Sequence, residues 1–598
     1  MSTVTEIALK SVPGRFFRRP GMLWLAVPGI IFLALFLLFP SLRIFILSVT
    51  NAGGHFSLAG FDRFATHGVY QRVLLNTFVI AFWTTALSLL FGYPLAYWLS
   101  RVTAGLRKIL MMLILLAFWS STLVKNFTWL ILLGHNGPVA EAARWLGLNG
   151  DNMLFNRPVV IFAMVHTMLP LGVVTLMPVL SQINDNLLKA AATLGADGAQ
   201  AFWRIFFTLS MRGVAAAGLL IFISSLGFFI TPTFLGSPHE MMLGQMIILQ
   251  INQLQNWQLG CALAVILVLA AVISCIIYDL LFGLSSLAGE SRSNTSRRHR
   301  LLSRLGWVIV DLLARLSSGL LWLSGPLRRR GFRLPLLGVF SWLLIAVLVL
   351  PVLAVIPMSF TASSFLSFPP QGFSLKWYQV YFSSSQWMDA TLRSFAIGLV
   401  VAVCSTVIAG MAAYSLSRSH SRLSRVIFLL FLLPMIIPAI VIAIALFYLC
   451  AHTGLVATNT GIIIGHIVIA LPMVFVILLT SFRGHDWRLN QAAATLGAGK
   501  LQILYRITLP SVKGGLLAAF VIGFLSSFEE LTVALFIGGG LKTTLPKQMW
   551  DDILLQITPT LAAASTAVLL IVVLFFLLLQ WGSRGIKRGK HSSVTGNQ

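Results

Sequence analysis

The heptad "AAATLGA" occurs twice, at Ala190–Ala196 and at Ala492–Ala498, 302 residues apart in a chain of 598. In both places it lies in a polar stretch between apolar runs, "NLLKAAATLGADGAQAFWRIFFTLS" from 186 to 210 and "RLNQAAATLGAGKLQILYRITLPSV" from 488 to 512. Each copy opens with an alanine-rich helical turn. Gly195 or Gly497 then interrupts it, because glycine weakens a helix interior and favours its C-terminal end. A second short helix with aromatic or aliphatic and basic residues is expected to follow. Small alanines allow close approach of another surface. They supply no nucleophile, metal ligand or acid–base pair.

The repeat extends outward from the heptads. At the same offset Leu169-Pro170 falls on Leu471-Pro472, Arg204-Ile205 on Arg506-Ile507, Ser224-Ser225 on Ser526-Ser527 and Gly236 on Gly538. Upstream the offset becomes 317, where "AYWLSR" at 96–101 matches "AYSLSR" at 413–418. The first half therefore carries about fifteen extra residues, which fit the polar stretch at 134–152. The two halves are a parallel internal duplication, since each holds an even number of apolar segments.

Those segments define the fold class. The chain is 58% hydrophobic and 10% charged, with a mean hydropathy of +0.91. Soluble domains average about 25% charged residues. A membrane-spanning helix needs about 20 largely apolar residues. Twelve stretches qualify, near 22–49, 73–100, 108–133, 158–183, 213–235 and 260–284, then 335–359, 392–416, 424–451, 461–482, 514–538 and 559–581. The expectation is an all-α polytopic membrane protein of about 12 transmembrane helices, surrounded by membrane lipid and arranged as two parallel six-helix repeats. Its divisions are an N-terminal tail (1–20), a first membrane domain (21–285), a basic linker (286–334), a second membrane domain (335–582) and a C-terminal tail (583–598).

Charge sets the orientation. The net charge is +26. Lys and Arg cluster in short segments between apolar runs, with almost no aromatic residues interleaved. The positive-inside rule accounts for this and leaves no role for nucleic acid. Arg101, Arg107 and Lys108 join segments two and three, and Arg418, Arg422 and Arg425 do the same in the second half. Both heptads follow an even number of spans, so they fall on the same cytoplasmic side, as do both termini. The first apolar run is too long for a secretory signal and reads as an uncleaved span. The four cysteines lie in or beside apolar runs and read as small core residues.

The linker from about 285 to 334 holds ten arginines. Its stretch at 305–325 is long enough to span, but Asp311 and Arg315 interrupt it. A charge at a helix centre costs roughly 2.5–3.5 kcal/mol on insertion. A span here would also invert the second half. An amphipathic helix in the cytoplasmic interface is expected instead.

The repeated loop resembles the "EAA" loop of the membrane subunits of ATP-binding-cassette importers. That pattern is Glu-Ala-Ala, three residues, Gly, nine residues, Ile, one residue, Leu-Pro. Ala492, Ala493, Gly497, Ile507, Leu509 and Pro510 match it, with Gln491 in place of the glutamate. Ala190, Ala191, Gly195 and Ile205 match in the first copy, where Lys189 replaces the glutamate and Phe207-Thr208 the Leu-Pro. The resemblance implies a type I importer permease fold, present twice in a fused chain of a bacterial inner membrane. It implies that each loop docks into one of two cytoplasmic ATPase subunits, and that a periplasmic or surface binding protein delivers substrate. No GxxxxGK[ST] phosphate loop occurs in the chain. The chain is expected to be no enzyme and to carry no cofactor, with ATP and Mg on the partner ATPases.

Two stretches resemble the polyamine (spermidine/putrescine) branch of this family: "FWSSTLVKNFTWLILLG" at 118–134 and "SSFEELTVALFIGGGLKTTLPKQMWDDI" at 526–553. The branch implies a small organic cation or zwitterion as substrate. Fused permeases for ferric iron or thiamine are the alternative within the class. A secondary transporter with internal repeats is the rival outside it, though it has no need of two matched cytoplasmic loops. Glu529 and Glu530 are read within an apolar helix, where ionisable groups face a cavity or a partner. They are expected to meet either a cationic substrate or Lys125. Trp119, Trp129 and Phe228 are candidates to line the pathway through cation–π contact, against the alternative of simple packing.

Overall fold

The computed structural model describes residues 20–51, 53–147, 150–151, 153–282, 311–312, 314–318, 336–419 and 421–574. The two tails and most of the linker lie outside the described residues. Twelve apolar helical units run through what is described, matching the twelve expected stretches in order. In the first half they are α1 (Leu23–Ser48), α2 (Gly68–Arg101), α3 (Ala104–Trp119 with Thr122–Leu132), α4 (Arg157–Gln182), α5 (Gly198–Leu226) and α6 (Trp257–Phe282). In the second they are α7 (Leu336–Met358), α8 (Ser385–Ser417), α9 (Arg422–Ile436 with Ala439–Thr453), α10 (Asn459–Arg483), α11 (Lys500–Phe528) and α12 (Pro559–Leu574).

Two expected spans are not single helices. α3 bends by 90° and α9 by 98°. The breaks are equivalent positions of the repeat. Ser120 and Ser121 take extended backbone in one, and Ile437 and Pro438 do so in the other. Proline has no N–H to donate and disfavours the helical region for the residue before it, which explains the second break. The run stays apolar across both bends, so hydropathy alone does not register them. α4 and α10 pass through Pro170 and Pro472 as continuous helices.

The fifth span of each half also differs from expectation. The helix after Gly195 or Gly497 is no separate loop helix. It is the start of the span, joined through a wider π-type turn at Phe202–Phe207 and Leu504–Thr508. The spans then stop at Leu226 and Phe528, short of 235 and 538, and a separate short helix follows each, Ile230–Leu235 and Thr532–Ile537. Glu529 and Glu530 therefore lie at a helix break and not within a helix. The segments between the fifth and sixth apolar stretches of each half also hold helices, Leu243–Ile248 and Leu545–Leu555.

The halves interlock. α1 packs against α8, α9 and α10 of the second half, while α7 packs against α2 and both pieces of α3. One apolar core joins α1 and α6 to α8, α9 and α10, and a second joins α3 to α7, α11 and α12. Neither half closes its core alone. Close side-chain packing thus holds the two repeats as one body, since lipid tails are as apolar as the helix faces and association rests on van der Waals contact.

Candidate functional site

The first candidate surface is the pair of repeated loops. Asp185–Thr193 and Trp487–Thr495 are nine-residue helices that hold the alanines. Asn184 and Asp486 cap them by accepting from Asn186 N (2.9 Å) and Arg488 N (3.0 Å). Each ends at a glycine in the left-handed region, with φ of +87° at Gly195 and +84° at Gly497. A Cβ at either glycine meets no atom within 4 Å. The requirement for glycine is therefore conformational and not steric. Ala196 N donates to Ala191 O and Ala498 N to Ala493 O, both at 3.0 Å, and these bonds close the C-terminal turn.

The loops project apolar groups outward. Leu194 and Leu496 are each 88% exposed, and Leu187 and Leu489, at matching positions, are also exposed. Sequence reading assigned the alanines and glycines to this surface and missed these leucines, although two of them lie inside the heptad. Ala190, Ala492 and Pro510 are exposed, Ala493, Ile205 and Ile507 are half-buried, and Ala191 is buried. The structure thus places the motif residues partly under the surface, with the leucines outermost.

The anchors beneath the loops differ. Arg101 forms an ion pair with Asp185 at 2.7 Å and lies over the Phe206 ring. Its repeat equivalent, Arg418, lies 4.9 Å from the ring centre of Trp487, which takes the place of Asp185. Asn490 Nδ2 donates to Thr508 Oγ1 at 2.9 Å in the second half, where the first half has Leu188 and buried Phe206. Among the described residues, 311–312 and 314–318 of the linker are helical and meet the first loop. Arg204 is ion-paired with Asp311, which also accepts from Arg315 at 2.8 Å. Ser318 hydrogen-bonds Asp197. The Ser318 bond, with the Gln200 N–H, holds the Asp197 carboxyl below the usual range, and Arg204 does the same for Asp311.

The second candidate site lies at the helix breaks within the membrane. Lys125, 1% exposed, starts the second piece of α3 and donates from Nζ to Ala117 O at 3.1 Å. The break leaves that carbonyl without its helical partner. Lys125 and Glu529 attract one another electrostatically. Glu529 caps the end of α11, and its Oε1 is sealed from solvent with no hydrogen-bond partner. Glu530 is committed elsewhere. Its carboxylate accepts from Thr532 N (2.8 Å) and Val533 N (2.9 Å), capping the short helix that follows. It also faces His466 Nε2 at 3.3 Å, while His466 Nδ1 contacts Ser527 Oγ at 2.8 Å. The two glutamates, read as one pair, thus have separate surroundings.

The aromatic candidates are dispersed. Trp129 is buried edge-on against Phe162 (4.8 Å between ring centres) and His166 (5.5 Å). Trp119 ends the first piece of α3 against Phe118. Phe228 packs on a small core of Ile80, Val160, Met164 and Met242. None of these rings stacks on Lys125 among the cation–ring contacts of the described residues.

The architecture is that of a multi-pass helical membrane protein. Residues 405–588 match the family described as "Binding-protein-dependent transport system inner membrane component". Among curated relatives, the spermidine/putrescine transport system permease protein PotB of Escherichia coli K12 is 29% identical over 212 residues, covering 35% of this chain and 77% of the relative. The companion permease PotC of the same organism is 28% identical over 226 residues, covering 38% of this chain and 85% of the relative. Among solved structures, a bacterial alginate ABC transporter in complex with a pentasaccharide-bound periplasmic protein is similar at 19% identity and a TM-score of 0.37. That match covers 43% of this chain and 91% of the other.

Proposed function

We propose that the chain is a fused pair of permease halves of an ATP-driven importer for a polyamine or similar small organic cation. Each cytoplasmic loop docks on one ATPase subunit, which carries ATP and Mg. A binding protein on the outer face delivers substrate. Closure of the ATPases draws the two loops together, and the interlocked halves rock between outward-open and inward-open states. The N-terminus, the linker, the C-terminus and both heptads lie in the cytoplasm, following the basic segments around them.

One observation carries the cation reading. Glu529 stands at a helix break within the membrane with a carboxylate oxygen that has no hydrogen-bond partner. A carboxylate oxygen left without a hydrogen-bond donor in low dielectric is costly, and an ammonium ion relieves that cost. The likeness to two spermidine/putrescine permeases supports the same substrate class.

Uptake of labelled putrescine, spermidine, aminoethylphosphonate and ferric iron, in the wild type and in Glu529→Gln, tests the reading. Uptake of a cationic amine that falls at least about tenfold in the variant is expected, from loss of a charge-assisted contact worth roughly 1.5–3 kcal/mol. Uptake of iron alone, or amine uptake unchanged by the substitution, contradicts it.

A further inference from the structure

The repeat places two equivalent crossings inside the membrane. Gly227 is the repeat equivalent of Glu529, and each caps the end of a fifth span. Pro438, at the break of α9, is the equivalent of Ser121 at the break of α3. At the first crossing the end of α5 meets the break of α9 closely. A Cβ on Gly227 would lie 2.9 Å from the Cβ of Pro438. That crossing is shut by backbone and ring, with no charge.

The second crossing, between the end of α11 and the break of α3, is built differently. It holds Glu529 where the other holds Gly227, and Lys125 where the second half has Ile442. The ammonium of Lys125 reaches back to Ala117 O, one of the carbonyls at the C-terminal end of the first piece of α3. α11 also ends here at its C-terminus. Helix C-termini carry partial negative charge, each equivalent to roughly half an elementary charge. The crossing thus sets one helix-end carbonyl, Ala117 O, against the Lys125 ammonium, with the Glu529 carboxylate beyond ion-pair distance, and that cation belongs to the chain. No oxygen of Glu529 closes to within 4 Å of the ammonium, since the pair is absent from the ion pairs of the described residues. His166 of α4 is the other titratable group near Lys125, and its Nε2 is 3.2 Å from Leu348 O.

We infer that Lys125 is a tethered stand-in for the substrate: its ammonium holds the cation position at this one crossing, and a primary ammonium group of the substrate displaces it toward Glu529 during transport. The inference rests on the cation-import reading above and deepens it. It assigns the site to one of two pseudo-equivalent crossings, and it makes Lys125 a competitor that keeps the site from trapping its cargo. Exchange of one ammonium for another conserves charge, so the buried carboxylate is never left uncompensated.

The test uses the full chain assembled with its ATPase subunits and binding protein in proteoliposomes, with labelled putrescine as probe and methylammonium as a small competing cation. Wild type should transport putrescine and resist methylammonium. Lys125→Met should become at least about tenfold more sensitive to methylammonium, the change expected when one charged contact is opened to an outside cation. Lys125→Met/Glu529→Gln removes both charges, which guards against failure of the single variant to assemble. It should assemble, lose methylammonium sensitivity and turn putrescine over at least about tenfold more slowly. A Lys125→Met protein with wild-type resistance, or a double variant with wild-type putrescine turnover, overturns the inference. Failure of the wild-type assembly to move any cation overturns the functional reading itself, and the role of Lys125 with it.

Discussion

The two repeated loops share seven identical residues, the same glycine geometry and the same exposed leucines, yet they are fastened to the chain by different chemistry. Arg101 grips Asp185 through an ion pair, while Arg418 lies over the Trp487 ring. Leu188 and Phe206 face one loop from within, and the Asn490–Thr508 hydrogen bond does so in the other. The exposed leucines are the same in both loops and the residues beneath them are not. On the proposed importer reading, each half is free to solve its own packing while both present one shape to the same kind of subunit.

The first loop has a further attachment. Asp311 and Ser318 of the linker reach Arg204 and Asp197. The second loop has Gly499 where the first has Asp197, and its Leu501 and Tyr505 are exposed where the first has buried Ala199 and half-buried Trp203. Among the described residues, the linker contacts lie on the first loop.

The largest effect that would break the comparison is expected at the shared glycines. Gly195→Val or Gly497→Val forces a β-branched residue to positive φ, at a local cost of about 1–3 kcal/mol. Either should release ATPase from the purified complex and abolish transport. Equal losses support equal docking, and retention of both ATPases in either variant breaks it. A smaller, one-sided effect is expected at Asp197, whose Oδ1 accepts from Gln200 N at 2.7 Å. Asp197→Ala should cost about 1 kcal/mol as a lost helix cap. It should also speed proteolysis within the linker, while Gly499→Ala leaves the linker unaffected.

The anchors predict a difference in salt dependence. The Arg101–Asp185 pair is partly exposed and should contribute only about 0.2–1 kcal/mol, less as salt rises. Arg101→Ala should therefore destabilise the protein less at high salt than at low, and Arg418→Ala about equally at both, as read by thermal unfolding. The smallest effect concerns pH. Asp197 and Asp311 have carboxyls held low, so their contribution is complete above the ordinary carboxylate range and is lost as pH falls through their depressed values. Linker protection should stay constant from about pH 8 down to pH 5. A loss of protection near neutrality would show that other groups hold the linker.

Much of this was legible in the sequence because it is carried by local pattern. Twelve apolar runs, the repeat offsets and the two glycine-broken loops all persist in the structure. The bends in α3 and α9 were not, since the residues on both sides stay apolar and only Pro438 marks one of them. The fifth spans were read too far because "SSFEELTVALF" keeps its hydrophobic character past the point where Glu529 ends the helix. The interlocking of α1 and α7 has no local signature, as it depends on which distant surface each helix covers. The glutamates stand out in the sequence as ionisable residues in an apolar run. Their division into a capping Glu530 and an unpartnered Glu529 needed coordinates, because neighbouring identical residues look alike in one dimension.

The central claim is that one chain presents two equivalent ATPase docking surfaces. Native mass spectrometry of the detergent-solubilised chain, co-expressed with its ATPase, tests it most directly when wild type is compared with Leu194→Asp and Leu496→Asp. The expected result is two ATPase subunits per chain in the wild type, and a loss of ATPase occupancy in each variant. A transport-competent wild-type assembly with a single ATPase, or with none, would contradict it.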